Sequence, residues 1–137
     1  MSAVLAAVVL KVGTIIVVEP HGQRRDLALS LGATHVVDPA SEPLLQRMKE
    51  IAPGGIDYVL DTAAVADVLQ QTMSALAHRA RVGIVGVPSG LDATLRLNLA
   101  QVLTQGIRVM GIVEGDSTPD LFAPKLLELH RVWTVSV

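Results

Sequence analysis

The sequence contains no cysteine. That excludes disulfides, thiolate metal sites and a cysteine nucleophile, and it makes the cytosol the default compartment. Aromatic residues are 2% of the chain, one each of Phe, Tyr and Trp. Valine, leucine, isoleucine and alanine must therefore fill the core, a usage that suits a parallel sheet buried on both faces better than an antiparallel sandwich. Charge is sparse as well: 18% of residues, for a net charge of −2. With neither a basic patch nor a set of stacking aromatics, nucleic acid is not an expected partner. A hydrophobic share of 50% at this charge argues against disorder.

Catalytic and metal-binding patterns are also missing. His21, His35, His78 and His130 stand in no metal-ligand spacing with one another or with an acid. His35 falls in a strand, His78 in a turn and His130 near a helix end. No Gly-x-Ser-x-Gly elbow is present. The sole tyrosine, Tyr58, has threonine rather than lysine four residues on, so a tyrosine–lysine proton relay is excluded. No residue qualifies as catalytic and none as a metal ligand.

At 137 residues the chain is one domain with room for a core. Residues 2–10 are almost wholly apolar, but Lys11 follows the run, whereas a signal peptide carries its charge first. The run is also shorter than the ~20 residues needed to cross a bilayer. The expectation is a short helix buried on most sides and no membrane association.

Beyond it, strand-like and helix-like stretches alternate. The run 14–18 is apolar and β-prone, and Pro20-His21-Gly22 turns the chain. Leu27, Ala28 and Leu31 recur at helical spacing, with Gly32 just past the helix end. A short strand at 34–38 and a helix opened by Ser41-Glu42-Pro43 follow. Residues 56–61 make the next strand. Val65, Val68, Leu69, Thr72 and Leu76 stripe the helix after it, and 80–85 is a further strand. Residues 93–97 read as a short extended piece. Asn98 caps a helix closed by Gly106, 107–113 is a strand, and a last helix starts at Pro119, with Pro124 either beginning it or kinking it. The tail, 132–137, is strand-like. This alternation predicts an open α/β fold with parallel strands and right-handed crossovers.

In such a fold a ligand lies beyond the carboxyl ends of the strands, at the point where the strand order reverses. The residues at those ends are Glu19 with His21 and Arg24; Asp38; Asp61-Thr62-Ala63; Val85-Gly86-Val87; and Ile112-Val113-Glu114. Glu19 ends an apolar strand, which is where a dinucleotide fold places the acid that binds the adenosine ribose; alternatively it is a surface acid at a strand mouth. A carboxylate there favours the unphosphorylated ribose of NAD over the 2′-phosphate of NADP, although Arg25 weakens the inference. Arg24, about a helical turn on, either meets the ribose or is solvated. The glycine-rich turn G-x-G-x-x-G, which would hold a pyrophosphate at a helix N-terminus, does not precede Thr14.

Taken in order, Thr14-Ile15-Ile16-Val17-Val18-Glu19-Pro20-His21, Leu31-Gly32-Ala33-Thr34-His35-Val36-Val37, Gly54-Gly55-Ile56-Asp57-Tyr58-Val59-Leu60-Asp61-Thr62, Val85-Gly86-Val87-Pro88 and Gly111-Ile112-Val113-Glu114-Gly115-Asp116-Ser117 resemble the medium-chain zinc-type alcohol dehydrogenases, specifically the aryl-alcohol dehydrogenase branch. The resemblance runs from about residue 2 to 131 and implies a partial NAD-binding domain at 1–131, an unassigned tail at 132–137 and no catalytic domain. The implied fold is a Rossmann-like doubly wound parallel sheet, of order 3-2-1-4-5-6 in the family, lacking its first, central strand. Residues 14–18 and 56–61 would then have to pair directly or borrow a strand, and the tail is the one spare β-prone segment. The implied cofactor is NAD, bound weakly: Glu19 on the ribose with Arg24 in support, Thr62 on the adenine side, Val85 and Val87 flanking the nicotinamide, Ile112 and Glu114 offering backbone groups to its carboxamide. The family's zinc ligands are absent. Ala63-Ala64 stands where Thr-Gly is more usual. The resemblance also implies a homodimer through the edge strand 107–113. The expected function is the cofactor-binding part of an NAD-dependent alcohol dehydrogenase, inactive in hydride transfer alone; the alternative is a non-catalytic α/β module that associates through its edge strand.

Overall fold

The computed structural model describes residues 1–90 and 92–135. The element order is α1 (Ser2–Val9), β1 (Ile16–Val18), α2 (Gly22–Ser30), β2 (His35–Val37), α3 (Leu44–Ile51), β3 (Ile56–Asp61), α4 (Ala66–Met73), β4 (Leu76–Ile84), α5 (Leu99–Gln105), β5 (Arg108–Gly111), a 3-10 turn (Glu114–Asp116) and α6 (Pro119–Val135). All strand pairings are parallel. The strands do not form one sheet. β1 pairs with β2 in one ladder, and β3, β4 and β5 form a second in that order.

This corrects the expectation that 14–18 and 56–61 pair directly or borrow a strand. β1 and β3 each keep an edge with no ladder partner. The strand-like tail does not supply one either: α6 continues through Val135, and Ser136 and Val137 lie outside the described residues. With the order β2-β1, a gap, then β3-β4-β5, the arrangement follows the doubly wound order with its third position vacant.

What joins the half-sheets is apolar packing. Leu44 and Met48 of α3 are buried with Val37 of β2 and Ala75, and Ile16, Val18, Ile56 and Val68 pack around them. One amphipathic helix thus covers both ladders. A second cluster, Val4, Ile15, Ala28 and Ala33, seats α1 and α2 on the other face of β1 and β2. The third lies under α4: Leu69, Met73, Leu76, Ala80, Val82 and Ile107. Alternation along β1 is consistent with this, since Ile15 and Val17 meet α1 while Ile16 and Val18 meet α3.

Local sequence explains most boundaries. Asn98 Oδ1 accepts the Gln101 amide at 3.1 Å and Gly106 closes α5 in the left-handed region, φ 65°. Gly32, φ 106°, turns the chain out of α2 under Val8. Pro124 lies inside α6, five residues after Pro119, rather than starting it. Three expectations shift. Leu76 begins β4 rather than completing the α4 stripe, which places His78 in that strand and not in a turn. Arg79 takes φ 63°, near the register irregularity between Ile56 and Tyr58. Residues 93–97 form no strand, although Leu95 packs on the third cluster and Gln70 bonds both backbone groups of Arg96. Finally, α1 is not buried on most sides: Val4 is, while Val9 and Leu10 are exposed.

Two stability predictions follow from the joint and the strand mouths. Leu44 is 1% exposed; Leu44→Ala removes the side chain shared by both half-sheets and should lower the unfolding free energy by about 2–5 kcal/mol, measured by urea titration. Ala64 holds φ 51°, which costs an alanine but not a glycine. Ala64→Gly is expected to be neutral to stabilising, by up to about 1 kcal/mol, where most glycine replacements of alanine destabilise; differential scanning calorimetry decides the sign.

Candidate functional site

The carboxyl ends of the strands gather at one end of the molecule, and the strand order reverses at the gap between β1 and β3. Glu19 follows β1 directly. Its amide donates to Val37 O at 3.0 Å, so the backbone there is fixed by β2. The Glu19 side chain is 16% exposed. Its Oε1 accepts from the His21 amide at 3.0 Å and from His21 Nδ1 at 2.6 Å. A carboxylate only accepts, so Nδ1 carries the hydrogen. Burial opposes ionisation of Glu19, yet the two His21 hydrogen bonds and the Arg24 charge together hold its carboxyl below the usual glutamate range. Oε2 faces only Arg24 Nη1, at 3.7 Å. Arg24 is 64% exposed, so this pair is a loose one.

The neighbouring arginine has a different role, which sequence reasoning missed. Arg25 Nη1 donates to Glu19 O at 2.8 Å and to Pro20 O at 2.7 Å, and lies 3.2 Å from Asp38 Oδ2. It ties the end of β1 to the end of β2. Asp38 is oriented in turn by the Ala40 amide, 2.9 Å from Oδ1; this bond, against the cost of burial, keeps the Asp38 carboxyl below its ordinary range. The signal that could have found the clamp is the acid at position 38 ending the strand next to β1.

At the end of β3, Asp61 organises the turn. Its Oδ1 accepts from the Ala63 and Ala64 amides, each at 3.1 Å, and its backbone carbonyl accepts from Val85 and Gly86. Asp61 Oδ2 is buried without a hydrogen-bond partner among the described residues. A cavity of about 110 Å³, lined by Asp61, Ala64, Ile84, Pro88, Thr94 and Leu95, adjoins it and has room for an ordered water. Gly86 is required here: a Cβ would stand 2.7–2.8 Å from the backbone of residues 62–64. Thr62 is exposed at this mouth.

At the end of β4, Val85 and Val87 are exposed, Val87 at 85%. After β5, the Ile112 amide is already engaged, donating to Ile84 O at 2.9 Å, and the Ile112 side chain covers Gly83. The Glu114 backbone opens the 3-10 turn. The strand ends thus bring Glu19, Arg24, Thr62, Val85, Val87, Ile112 and Glu114 to one end of the sheet, on both sides of the gap. No cluster of three metal-ligating side chains exists among the described residues, and none of the described helices is long and apolar enough to cross a membrane. A larger surface hollow of about 640 Å³, between Pro43, Leu45, Gln46, Lys49, Glu50 and Gln71, contains none of these residues.

Known proteins share both the sequence and this arrangement. A probable alcohol dehydrogenase from a Pseudomonas species is 41% identical over 118 residues, 85% of this chain and 37% of that protein. The structure of benzyl alcohol dehydrogenase from Acinetobacter calcoaceticus superposes with a TM-score of 0.89 at 34% identity, over 95% of this chain and 36% of that one. A putative zinc-binding dehydrogenase from Sinorhizobium meliloti 1021, solved bound to NADP, gives a TM-score of 0.70 at 27% identity, over 79% of this chain and 32% of that one. The chain therefore spans about a third of the length of the proteins it matches. The family model described as zinc-binding dehydrogenase matches residues 1–130, nearly the full length, and the chain belongs to that family.

Proposed function

We propose that this chain is the nicotinamide-cofactor part of an alcohol dehydrogenase-type oxidoreductase, that it prefers NAD to NADP, and that by itself it does not transfer hydride. The observation that carries this reading is Glu19: an ionised, half-buried carboxylate at the reversal of strand order, one oxygen fixed by His21 and the other left open toward solvent-exposed Arg24. That is the chemistry that accepts hydrogen bonds from a ribose diol and repels a 2′-phosphate. The residues fit the adenosine half of the cofactor. Thr62 and the close backbone turn at Gly86 leave the β3 and β4 mouths open to a flat ring. Val85 and Val87 offer an apolar wall for the nicotinamide, which when bound supplies the hydride-accepting carbon. Toward its carboxamide, Ile112 has only a carbonyl to give, since its amide is engaged, and Glu114 gives backbone groups of the 3-10 turn.

The fit is poorer at the pyrophosphate. No G-x-G-x-x-G turn in these 137 residues leads into α1, whose N-terminus has no side-chain cap. The apolar residues at the strand mouths bring no proton-transfer group and no zinc ligands to the nicotinamide side. Within the intact fold of its relatives this chain would contribute cofactor binding and orientation. A cytoplasmic location accords with the absence of cysteine.

A second reading has one observation in its favour. β5 keeps an outer edge, flanked by exposed Met110 and Val113. Self-association through 107–113, or a non-catalytic role built on that edge, would use it. Sedimentation with and without cofactor separates the two, because an edge-paired dimer forms without NAD.

Isothermal titration with NAD and NADP tests the main reading. The expected result is millimolar NAD binding and weaker NADP binding, with Glu19→Gln losing about tenfold toward NAD and narrowing the difference between the cofactors. Micromolar NAD binding by the wild-type chain would show that the glycine-rich turn is dispensable. Tighter NADP binding would overturn the role given to Glu19.

Glu19 also predicts a pH dependence. Its folded pKa is depressed, so its stabilising contribution is complete above the ordinary glutamate pKa and is lost as pH falls through the lower folded value. Urea midpoints measured from neutral pH downward should fall on the acid side, and less steeply in Glu19→Gln. A variant curve parallel to wild type would show that the carboxylate is not stabilised by folding.

A further inference from the structure

We propose that His21 is a specificity-determining residue at the mouth of β1: neutral, it adds to the exclusion of a 2′-phosphate, and protonated it relieves that exclusion. The proposal rests on the reading of Glu19 as the ribose acid and names how the selectivity of that acid is regulated. Its basis is the way Glu19 commits the imidazole. Glu19 Oε1 receives the His21 amide at 3.0 Å and Nδ1 at 2.6 Å. A carboxylate cannot donate, so the single hydrogen of the neutral ring sits on Nδ1 and Nε2 carries only a lone pair. The His21 side chain is 67% exposed, and Nε2 has no hydrogen-bond partner among the described residues. A free histidine can exchange tautomers and offer a hydrogen to an anion. This one cannot without giving up Glu19, so a second proton has one place to go, the exposed Nε2.

The charges around the ring make that proton consequential. Arg24 Nη1 stands 3.7 Å from Glu19 Oε2, and Arg25 Nη1 stands 3.2 Å from Asp38 Oδ2. Each acid is balanced by one arginine, so the mouth has no net charge while His21 is neutral. Oε1 already holds two donors, which leaves Oε2 as the oxygen that an entering group meets. A phosphate there faces that oxygen and the Nε2 lone pair, both repulsive. Protonation turns Nε2 into a charged N–H donor, makes Glu19 Oε1 half of an ion pair and gives the mouth a net positive charge. A phosphate gains a charge-assisted hydrogen bond from this change, whereas neutral ribose hydroxyls gain little. The exposure of the ring keeps the effect moderate. The Glu19 carboxyl, against the cost of burial, and the Asp38 carboxyl, through the Ala40 amide, both lie below their ordinary ranges. They stay ionised where histidines change charge, so His21 is the member of this set that responds there.

The test is isothermal titration of the full chain with NAD and with NADP at about pH 8 and about pH 5.5, on wild type, His21→Asn and Glu19→Gln. Asparagine offers Glu19 an N–H donor in the place of Nδ1 and takes up no proton. His21 precedes α2 in an extended conformation, a position that asparagine tolerates well. The 2′-phosphate also loses charge between these pH values, so the readout is the ratio of the NADP to the NAD dissociation constant, compared between chains. From the higher to the lower pH this ratio is expected to fall at least about fivefold more in wild type than in His21→Asn. An equal fall in both would overturn the role of His21 and leave that of Glu19 intact. A Glu19→Gln chain indistinguishable from wild type at the higher pH, or no binding of either cofactor, would overturn the reading of Glu19 and this proposal with it. The tautomer is checked without cofactor: the imidazole nitrogen chemical shifts of the free chain should place the hydrogen on Nδ1 at about pH 8. A ring carrying it on Nε2 would also overturn the proposal.

Discussion

The structure depends on a contact that is not a hydrogen bond. Two parallel ladders stand side by side with no strand pairing between β1 and β3, and the packing under Leu44 and Met48 holds them together. In a continuous sheet the ladder fixes strand spacing to within a fraction of an ångström, and helices only cover it. Here the covering helix fixes the spacing. Apolar contact is non-directional, so it can set proximity and sheet order but cannot satisfy the edge groups that face the gap. This accounts for two otherwise separate features. α1, apolar on all sides, has only the β1–β2 side to bury against, and Tyr58 and Leu60, on the edge strand of the larger ladder, are left 71% and 49% exposed.

The candidate site is less affected by this than the sheet is. Glu19 is placed by β2 through its own amide and by the Arg25 clamp to Asp38, all within the smaller half-sheet. Thr62, Val85 and Val87 are placed by the Asp61 turn and its bonds to the start of the β4 mouth, all within the larger one. Each half is locally over-determined. Only the distance across the gap depends on α3. The two sides of the gap are therefore each fixed by hydrogen bonds within their own ladder and joined to one another by apolar packing.

Much of this was legible in the sequence, because it rested on short-range signals. The β3 run 56–61 is bounded by Gly54-Gly55 and an acid and formed as read. Asn98 and Gly106 mark α5 by capping chemistry that needs no tertiary partner. The parallel class followed from strand–helix alternation and from an aliphatic core almost without aromatics. The errors came where one residue fits two periods or where the outcome depends on long-range pairing. Leu76 continues the α4 stripe at four-residue spacing and equally begins a strand; the strand won, and His78 went with it. The tail 132–137 has strand composition, but its first four residues continue α6 as helix although the edges of β1 and β3 stand unpaired. Arg24 and Arg25 are adjacent in sequence and alike in type, yet one is exposed and the other bonded to two strand ends, a distinction that only the position of Asp38 could have signalled. The split sheet had no local signature, since an unpaired edge is a property of what stands next to a strand and not of the strand.

The gap also bears on the candidate site, because the carboxyl ends of the two strands that border it, at Glu19 and Asp61, form its rim. The separation of those ends is set by the packing of α3 and not by a ladder, so a substitution that alters the contact of Leu44 or Met48 acts on the geometry of the rim without touching any residue on it.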